Sequence, residues 1–371
     1  MPTRASTADP DSTDLIGRIY QRIATSESNS ITVAEFMRMA LYDLEAGYYA
    51  SGRAKIGREG DFFTSVSVGE CFGMLVARWI AGVMNELTVD GGSALEIVEL
   101  GAFDGQLAND VLRWLPEFVE PPIWEEIRYT IVEPFAPLRG RQEETLESYG
   151  ERVRWVEDLA AIRSGPIRGV MLANELLDAM PVRQFIRNDS GWMERMASGD
   201  AENGLRLSEV EADQNIGLPE SAAVGSVMER IEGLDAFFRD ASAAVKEGRV
   251  LFFDYGFVEE EKPVESKRAE TLRAYFAHEY LDNILERPGE ADLTASVDFS
   301  HVANCADAAG FRCRPLTDQH RFLTEAAKPW LQELESRGEI DDASAKLLRQ
   351  FQTLTHPGDM GRKFRVFEAE R

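Results

Sequence analysis

The sequence predicts an α/β protein built on a parallel sheet, and three observations lead there. Short apolar runs alternate with helix-like segments through the middle of the chain, the pattern of right-handed βαβ units. One of those runs, ALEIVELG, passes through a glycine turn straight into a helical segment. The composition also suits a large core, because 371 residues that are 44% hydrophobic can bury a sizeable apolar interior.

The elements follow in order. Residues 1–12 read as a short disordered tail, neither a secretory signal nor a transit peptide. Residues 13–88 read as an N-terminal helical cap. It has a first helix over Asp14–Ala24 and a second behind Thr32, with Glu35 in a capping-box position. A Gly- and Tyr-rich loop, LYDLEAGYYASGRAKIGREGDFFTS, follows. The cap closes with an amphipathic helix whose apolar face is Phe72, Leu75, Val76, Trp79, Ile80 and Val83. From residue 89 onward, strands are expected at ALEIVELG, RYTIVEP, VRWVED, RGVMLAN and GRVLFFDYG. Helices are expected at GQLANDVLRWL, around RQEETLESYG and from Ser226 to Glu247. PVRQFIRNDSGWMERM reads as a hairpin turning near Asn188–Gly191 within an insertion of about 181–225. Further insertions are expected over about 257–297 and, as a long helical stretch, about 320–358.

Charge and cysteines bound the function. With 65 acidic against 40 basic residues the formal net charge is −25, which disfavours nucleic acid. It suits small molecules or a basic patch on a partner protein. Three scattered cysteines (Cys71, Cys305, Cys313) give no disulfide framework and suggest a reducing, cytoplasmic setting. No run of roughly eighteen uncharged apolar residues occurs, so no membrane insertion is expected. The histidines (His278, His301, His320, His356) show no metal-ligand spacing, so no metal is expected.

The candidate site gathers at the strand ends. Glu99, Gly101 and Gly105 belong to a G-x-x-x-G turn, not to the dinucleotide fingerprint, and the helix behind it suits a ligand carrying a carboxylate. Glu133 ends the second strand, where a carboxylate can accept both hydroxyls of a ribose. Glu157 and Asp158 follow the third strand, where an adenine amino group could be read. Acids at single strand ends are commonly just solvated charges; three on one rim favour an adenosyl ligand. After the fourth strand, NELLDAMP supplies Asn174, Glu175 and Asp178, the two acids three apart on a helix start and able to face the same way.

LYDLEAGYY, GREGDFFTS, VELGAFDGQL, NELLDAMPVRQF, FFDYG and RPGEADLTASVDF occur in the order found in the MidA-homologue family, the mitochondrial complex I assembly methyltransferases. The chain resembles that family from about Ile31 to its end. The resemblance implies a class I methyltransferase fold, a Rossmann-like seven-stranded sheet with an antiparallel last strand and added helical and hairpin elements. It implies that FRCRPL and RKFRVFEAE pair antiparallel as the sixth and seventh strands. S-adenosylmethionine is the implied methyl donor, with Glu99, Gly101 and Gly105 in its methionine-binding turn and Glu133 at its ribose. The implied substrate is an arginine on a protein, such as a respiratory complex I subunit or its bacterial counterpart. Two departures stand out: Ala102-Phe103-Asp104-Gly105 replaces the usual Pro-Gly-Arg-Gly-like turn, and Val66-Ser67 replaces the Pro-Glu that commonly follows Thr-Ser.

For such a reaction Glu175 and Asp178 are expected to grip the guanidinium fork, with Asn174 on the methionine side. Asp61 and Thr64 are expected to close over the ligand, with Gly57 and Gly60 as hinges. Tyr42, Tyr48 and Tyr49 could line an entrance, although aromatics in a cap more often simply bury area. A non-catalytic assembly protein on the same fold and an NAD-dependent oxidoreductase remain as alternatives. Oligomeric state is not expected to be readable from the sequence.

Overall fold

The computed structural model describes residues 10–51, 64–88, 95–162, 165–258, 270–277, 279–358 and 360–371. Seven strands form the path of the main sheet: β1 (Leu95–Leu100), β2 (Ile127–Val132), β3 (Val153–Val156), β4 (Ile167–Asn174), β5 (Val245–Phe257), β6 (Arg312–Cys313) and β7 (Phe364–Glu370). Their spatial order is β3-β2-β1-β4-β5-β7-β6, with short strands at Val297–Asp298 and Thr317–Asp318 joining β5 and β7 at the side. β1 to β5 run parallel, β7 runs antiparallel to β5, and β6 pairs antiparallel with β7. This is the class I methyltransferase arrangement. The order reverses between β1 and β4, and a doubly wound sheet opens a crevice at the carboxyl ends of its strands at such a point.

Each central strand is apolar on both faces because helices cover both. In β4, Met171 and Ala173 enter one core while Val170 and Leu172 enter the other; Val250 and Phe252 alternate with Leu251 and Phe253 in the same way along β5. Nine longer helices, among the described residues, surround the sheets. In chain order they are α1 (Pro10–Thr25), α2 (Val33–Tyr42), α3 (Cys71–Thr88), α4 (Gln106–Trp114), α5 (Ala136–Leu146), α6 (Leu234–Ala244), α7 (Phe299–Ala308), α8 (Gln319–Arg337) and α9 (Asp342–Thr355). Side chains of α1, α2, α6 and α7 fill the first core; those of α3, α4, α8 and α9 fill the second.

The insertions differ from their sequence reading in instructive ways. The hairpin forms with Asn188 opposite Gly191, but it is the centre of a five-stranded sheet. Ser30–Thr32, Gly204–Glu211 and Val227–Ile231 complete that sheet. The expected helix from Ser226 to Glu247 is therefore a strand followed by α6. Pairing of Phe185 with Met228 holds the strand, and Gly233, at φ +75°, turns the chain into the helix. Arg273–Phe276, Glu279–Leu281 and Asp292–Thr294 form a three-stranded sheet. The long C-terminal helical stretch is two helices, broken where Gly338 adopts φ +72°. The first helix begins at Pro10, inside the span expected as tail. The last helix of the expected cap, α3, instead lies against the main sheet, with Phe72, Leu75, Val76, Ile80 and Val83 buried and Trp79 at its margin. At α2, Thr32 does cap the helix by accepting from the Glu35 N–H, while the Glu35 carboxylate turns to Arg22.

Candidate active site

A cavity of about 550 Å³ opens at the carboxyl ends of β1 to β4. Tyr42, Tyr49, Thr64, Glu99, Gly101, Glu133, Glu157, Asp158, Asn174 and Glu175 are among its lining residues. The sheet register explains the convergence: Leu100 sits beside both Val132 and Ala173, and Val132 beside Val156, so the ends of β1 to β4 meet at one level. The apolar part of the wall includes Leu100, Val132, Phe135, Leu138, Leu159 and Phe237.

Glu99 is 2% exposed and accepts from the Tyr129 hydroxyl at 2.8 Å. Withdrawal from water pushes its carboxyl up to about 8. Gly101 adopts φ +70°, and a Cβ there would come within 3.0 Å of Leu176. Gly105 adopts φ +80° as the N-cap of α4, but it does not line the cavity. It faces the other way, where a Cβ would press on Leu146 and Gln142 of α5 at 3.3 and 3.4 Å. Its expected place in the ligand wall is thus corrected to a backing position that lets α4 meet α5.

Glu133 is 3% exposed and doubly held: Oε1 accepts from the Phe135 N–H at 2.9 Å, and Oε2 from Gln142 Nε2 at 2.9 Å. Gln142, fully buried, also donates to the Phe103 carbonyl at 3.0 Å and accepts from Trp155 Nε1 at 2.9 Å. One amide therefore ties β2, β3 and the glycine turn together. Phe103 stands at φ +49°, the left-handed region that glycine adopts freely. Glu157 and Asp158 are exposed at the rim, and Asp158 accepts from the Ala161 N–H at 3.0 Å.

The segment after β4 is not a helix start. Glu175 takes φ +52°, and only a single turn, Leu177–Ala179, follows. Glu175 and Asp178 consequently do not present one shared face, which corrects the expected carboxylate pair. Glu175 lines the cavity; its Oε1 accepts from Asn174 Nδ2 at 3.0 Å and from the Ser65 N–H at 3.2 Å. Loss of hydration and the nearby Asp178 push it up to about 8. Asp178 lies off the cavity lining, its Oδ2 accepting from Thr294 Oγ1 at 2.8 Å, and burial pushes its carboxyl up to about 6. Thr294 Oγ1 in turn meets the Tyr255 hydroxyl.

Asp254, fully buried near the carboxyl end of β5, organises this turn and was missed by the sequence reading. Its Oδ2 accepts from the N–H groups of Leu177 and Asp178 at 2.9 and 3.2 Å, and its Oδ1 from the Tyr255 N–H at 2.9 Å. The Glu175 N–H donates to the Phe253 carbonyl at 2.8 Å. An acid at a fifth strand end was the available signal. Gln142 was missed too; a polar side chain in the buried stripe Leu138-Gln142-Leu146 was its signal.

Thr64 caps the one-turn helix Ser65–Val68 in a reciprocal box with Ser67 and lines the cavity; Asp61, Gly57 and Gly60 lie outside the described residues. Tyr42 and Tyr49 line the cavity as a stacked pair, 5.6 Å between centroids, whereas Tyr48 is buried. Tyr42 donates to the Ala179 carbonyl at 2.8 Å, and Tyr49 to Asp292 Oδ1 at 3.0 Å. Together these groups make a cavity with an apolar body, acids at four strand ends and a buried amide oxygen, Asn174 Oδ1, that has no partner among the described residues. That donor set fits a cationic adenosyl ligand, since the carboxyls raised by burial gain most from an incoming positive charge.

Comparison with known proteins agrees with that chemistry. Residues 75–317 match the family model described as "Putative S-adenosyl-L-methionine-dependent methyltransferase". The chain is 29% identical to a rat protein named protein arginine methyltransferase NDUFAF7, mitochondrial, over 91% of this chain and 80% of that one. It is 28% identical to the Drosophila melanogaster homolog of that name, over 98% and 86% of the two chains. It also superposes on a Burkholderia thailandensis crystal structure bound to S-adenosyl-homocysteine, with TM-score 0.83 and 29% identity, covering 100% of this chain and 95% of that one.

Proposed function

The chain belongs to this S-adenosyl-L-methionine-dependent methyltransferase family, and on that premise we propose that it methylates a guanidinium nitrogen of arginine on a protein substrate. The observation carrying this reading is Glu175, a carboxylate held on the cavity wall with Asp178 and Asp254 close behind it. The names of the NDUFAF7 relatives support the substrate class. A respiratory complex I subunit, or its bacterial counterpart, is the protein target we favour from the resemblance to the complex I assembly family.

When bound, S-adenosylmethionine supplies an electrophilic methyl carbon on a sulfonium. In our reading Glu133 holds its ribose, the Glu99–Gly101 turn with Asn174 its methionine end, and Glu157 and Asp158 its adenine. Thr64 closes the wall over it. Glu175 accepts N–H donors of the substrate fork and holds one nitrogen toward the methyl group. Guanidinium is a poor nucleophile, since it stays protonated to a pH above about 12. A carboxylate that starts partly protonated and loses hydration on closure is well placed to stabilise the cation as one nitrogen leaves conjugation, and to take its proton afterwards. Asp178 acts behind Glu175 by raising its proton affinity, and Asp254 by bracing the turn that follows it, neither by direct grip. Three unpaired cysteines suit a reducing compartment such as the cytoplasm.

The test is methyl transfer to arginine-containing protein, read by mass spectrometry for wild type and Glu175→Gln. The variant should bind S-adenosyl-homocysteine within about threefold of wild type and lose at least roughly a hundredfold in turnover. Normal turnover in the variant would remove Glu175 from the reaction. Methyl acceptance by lysine or a small molecule instead of arginine would overturn the substrate class.

A further inference from the structure

The two-helix unit α8–α9 lies on the face of the sheet away from the first core, yet it reaches the candidate site through two glutamines. Gln319, the first residue of α8, is fully buried; its Oε1 accepts from Ser65 Oγ at 2.9 Å, and its Nε2 donates to the Leu354 carbonyl of α9 at 3.0 Å. Gln350 of α9 accepts from the Cys71 N–H at 3.0 Å, and its side chain packs where a Cβ on Gly69 would stand. The two amides therefore fix both ends of Ser65–Cys71. Within that stretch the Ser65 N–H points at Glu175 Oε1, while Val66 and Ser67, with Thr64 just before it, line the cavity.

We propose that Gln319 is a positioning residue for Glu175: by holding Ser65 through its hydroxyl, it keeps the Ser65 N–H aimed at the Glu175 carboxylate. The interaction is selective for the charged form of Glu175, because an N–H donor favours a carboxylate over a carboxylic acid. No side chain of α8 or α9 needs to touch substrate or methyl donor for this to operate. The two-helix unit thus becomes an arm that sets the orientation of one carboxylate, beyond its contribution to the second core. The proposal deepens the arginine reading but does not depend on it for its test.

Two variants separate the effects. Gln319→Leu keeps the volume and removes both amide bonds; Ser65→Ala removes only the hydroxyl and leaves the N–H. Hydrogen exchange of the peptide spanning residues 64–70 should quicken about tenfold in both, with the rest of the chain unchanged. If methyl transfer to arginine is measurable, kcat should fall about tenfold in each with KM for the donor within about threefold, and the double variant should be no worse than either single one. The acid limb of the kcat profile should also move to higher pH, because a weakened Ser65 N–H no longer favours the charged form, leaving burial and Asp178 to raise the Glu175 carboxyl against the Asn174 amide alone. Unchanged exchange at 64–70 in Ser65→Ala, or additive losses in the double variant, would overturn the proposal. Altered exchange together with no arginine methylation by wild type would leave Gln319 in its positioning role and remove the substrate reading instead.

Discussion

Glu99 and Glu175 share an unusual condition: both line the cavity and both are pushed up to about 8 by removal from water. Ionising them without a cation in the cavity is unfavourable, so a sulfonium ligand and a proton compete for the same carboxyls. S-adenosylmethionine affinity should therefore fall as pH drops from about 8 to about 6, by up to roughly tenfold per unit for each proton released. S-adenosyl-homocysteine, lacking the sulfonium charge, should bind with little change across that range. Calorimetry in buffers of differing ionisation enthalpy checks this; parallel pH slopes for the two ligands would refute it. The same shift has a stability counterpart. A carboxyl whose folded value lies above the unfolded 4.5 stabilises the fold below that unfolded value and loses the contribution as pH rises through about 8. The ligand-free protein should accordingly melt at lower temperature as pH rises from about 5 to about 9.

At the scale of elements, α5 governs the ribose end of the cavity mainly through a residue behind the wall, although its Leu138 lines the cavity. Gln142 connects Glu133, Phe103 and Trp155, and the sequence shows it only as a polar break in the Leu138–Leu146 stripe. Gln142→Leu should leave the Trp155 N–H unsatisfied and one Glu133 oxygen without its donor, at a cost of about 1–3 kcal/mol for each stranded group. A lower melting temperature together with weaker S-adenosylmethionine binding is expected, measured by calorimetry on the same preparation. Gly105→Ala acts on the same contact from α4. A methyl group at φ +80° and 3.3 Å from Leu146 should cost about 1–3 kcal/mol and part the two helices. If this variant kept wild-type stability, the backing role of Gly105 would be wrong. These contacts also mark where sequence reading stops. Strand-end positions such as Glu99, Glu133 and Asn174 followed from parallel order alone, because every parallel strand delivers its last residues to the same rim. Side-chain direction did not follow. Asp178 faces away from the cavity because Glu175 adopts a left-handed turn, and that turn is braced by Asp254, far along the chain.

For the molecule as a whole, the alternation of strands and helices was enough to give the parallel sheet, its antiparallel last pairing came only from the family resemblance, and the second sheet was concealed. Its first strand in the chain, Ser30–Thr32, has only three residues, too few to show an alternating pattern, and it sits between segments that read as helices. Its partner is the strand Gly191–Asp200, with Ser30 opposite Ser198. The start of the chain is thus stitched to an excursion that leaves the main sheet after β4 and returns at β5. Removal of residues 1–32 should expose the Gly191–Asp200 edge and destabilise the excursion more than the main sheet, seen as early exchange over residues 182–231. That stitching has a consequence for biosynthesis. A ribosome delivers Ser30–Thr32 long before the partner strand exists, so the leading segment must wait with an unsatisfied ladder while β1 to β4 of the main sheet emerge. Nascent chains stalled short of Ser198 should be clipped by protease near their beginning, and those stalled well beyond Gly204 should resist.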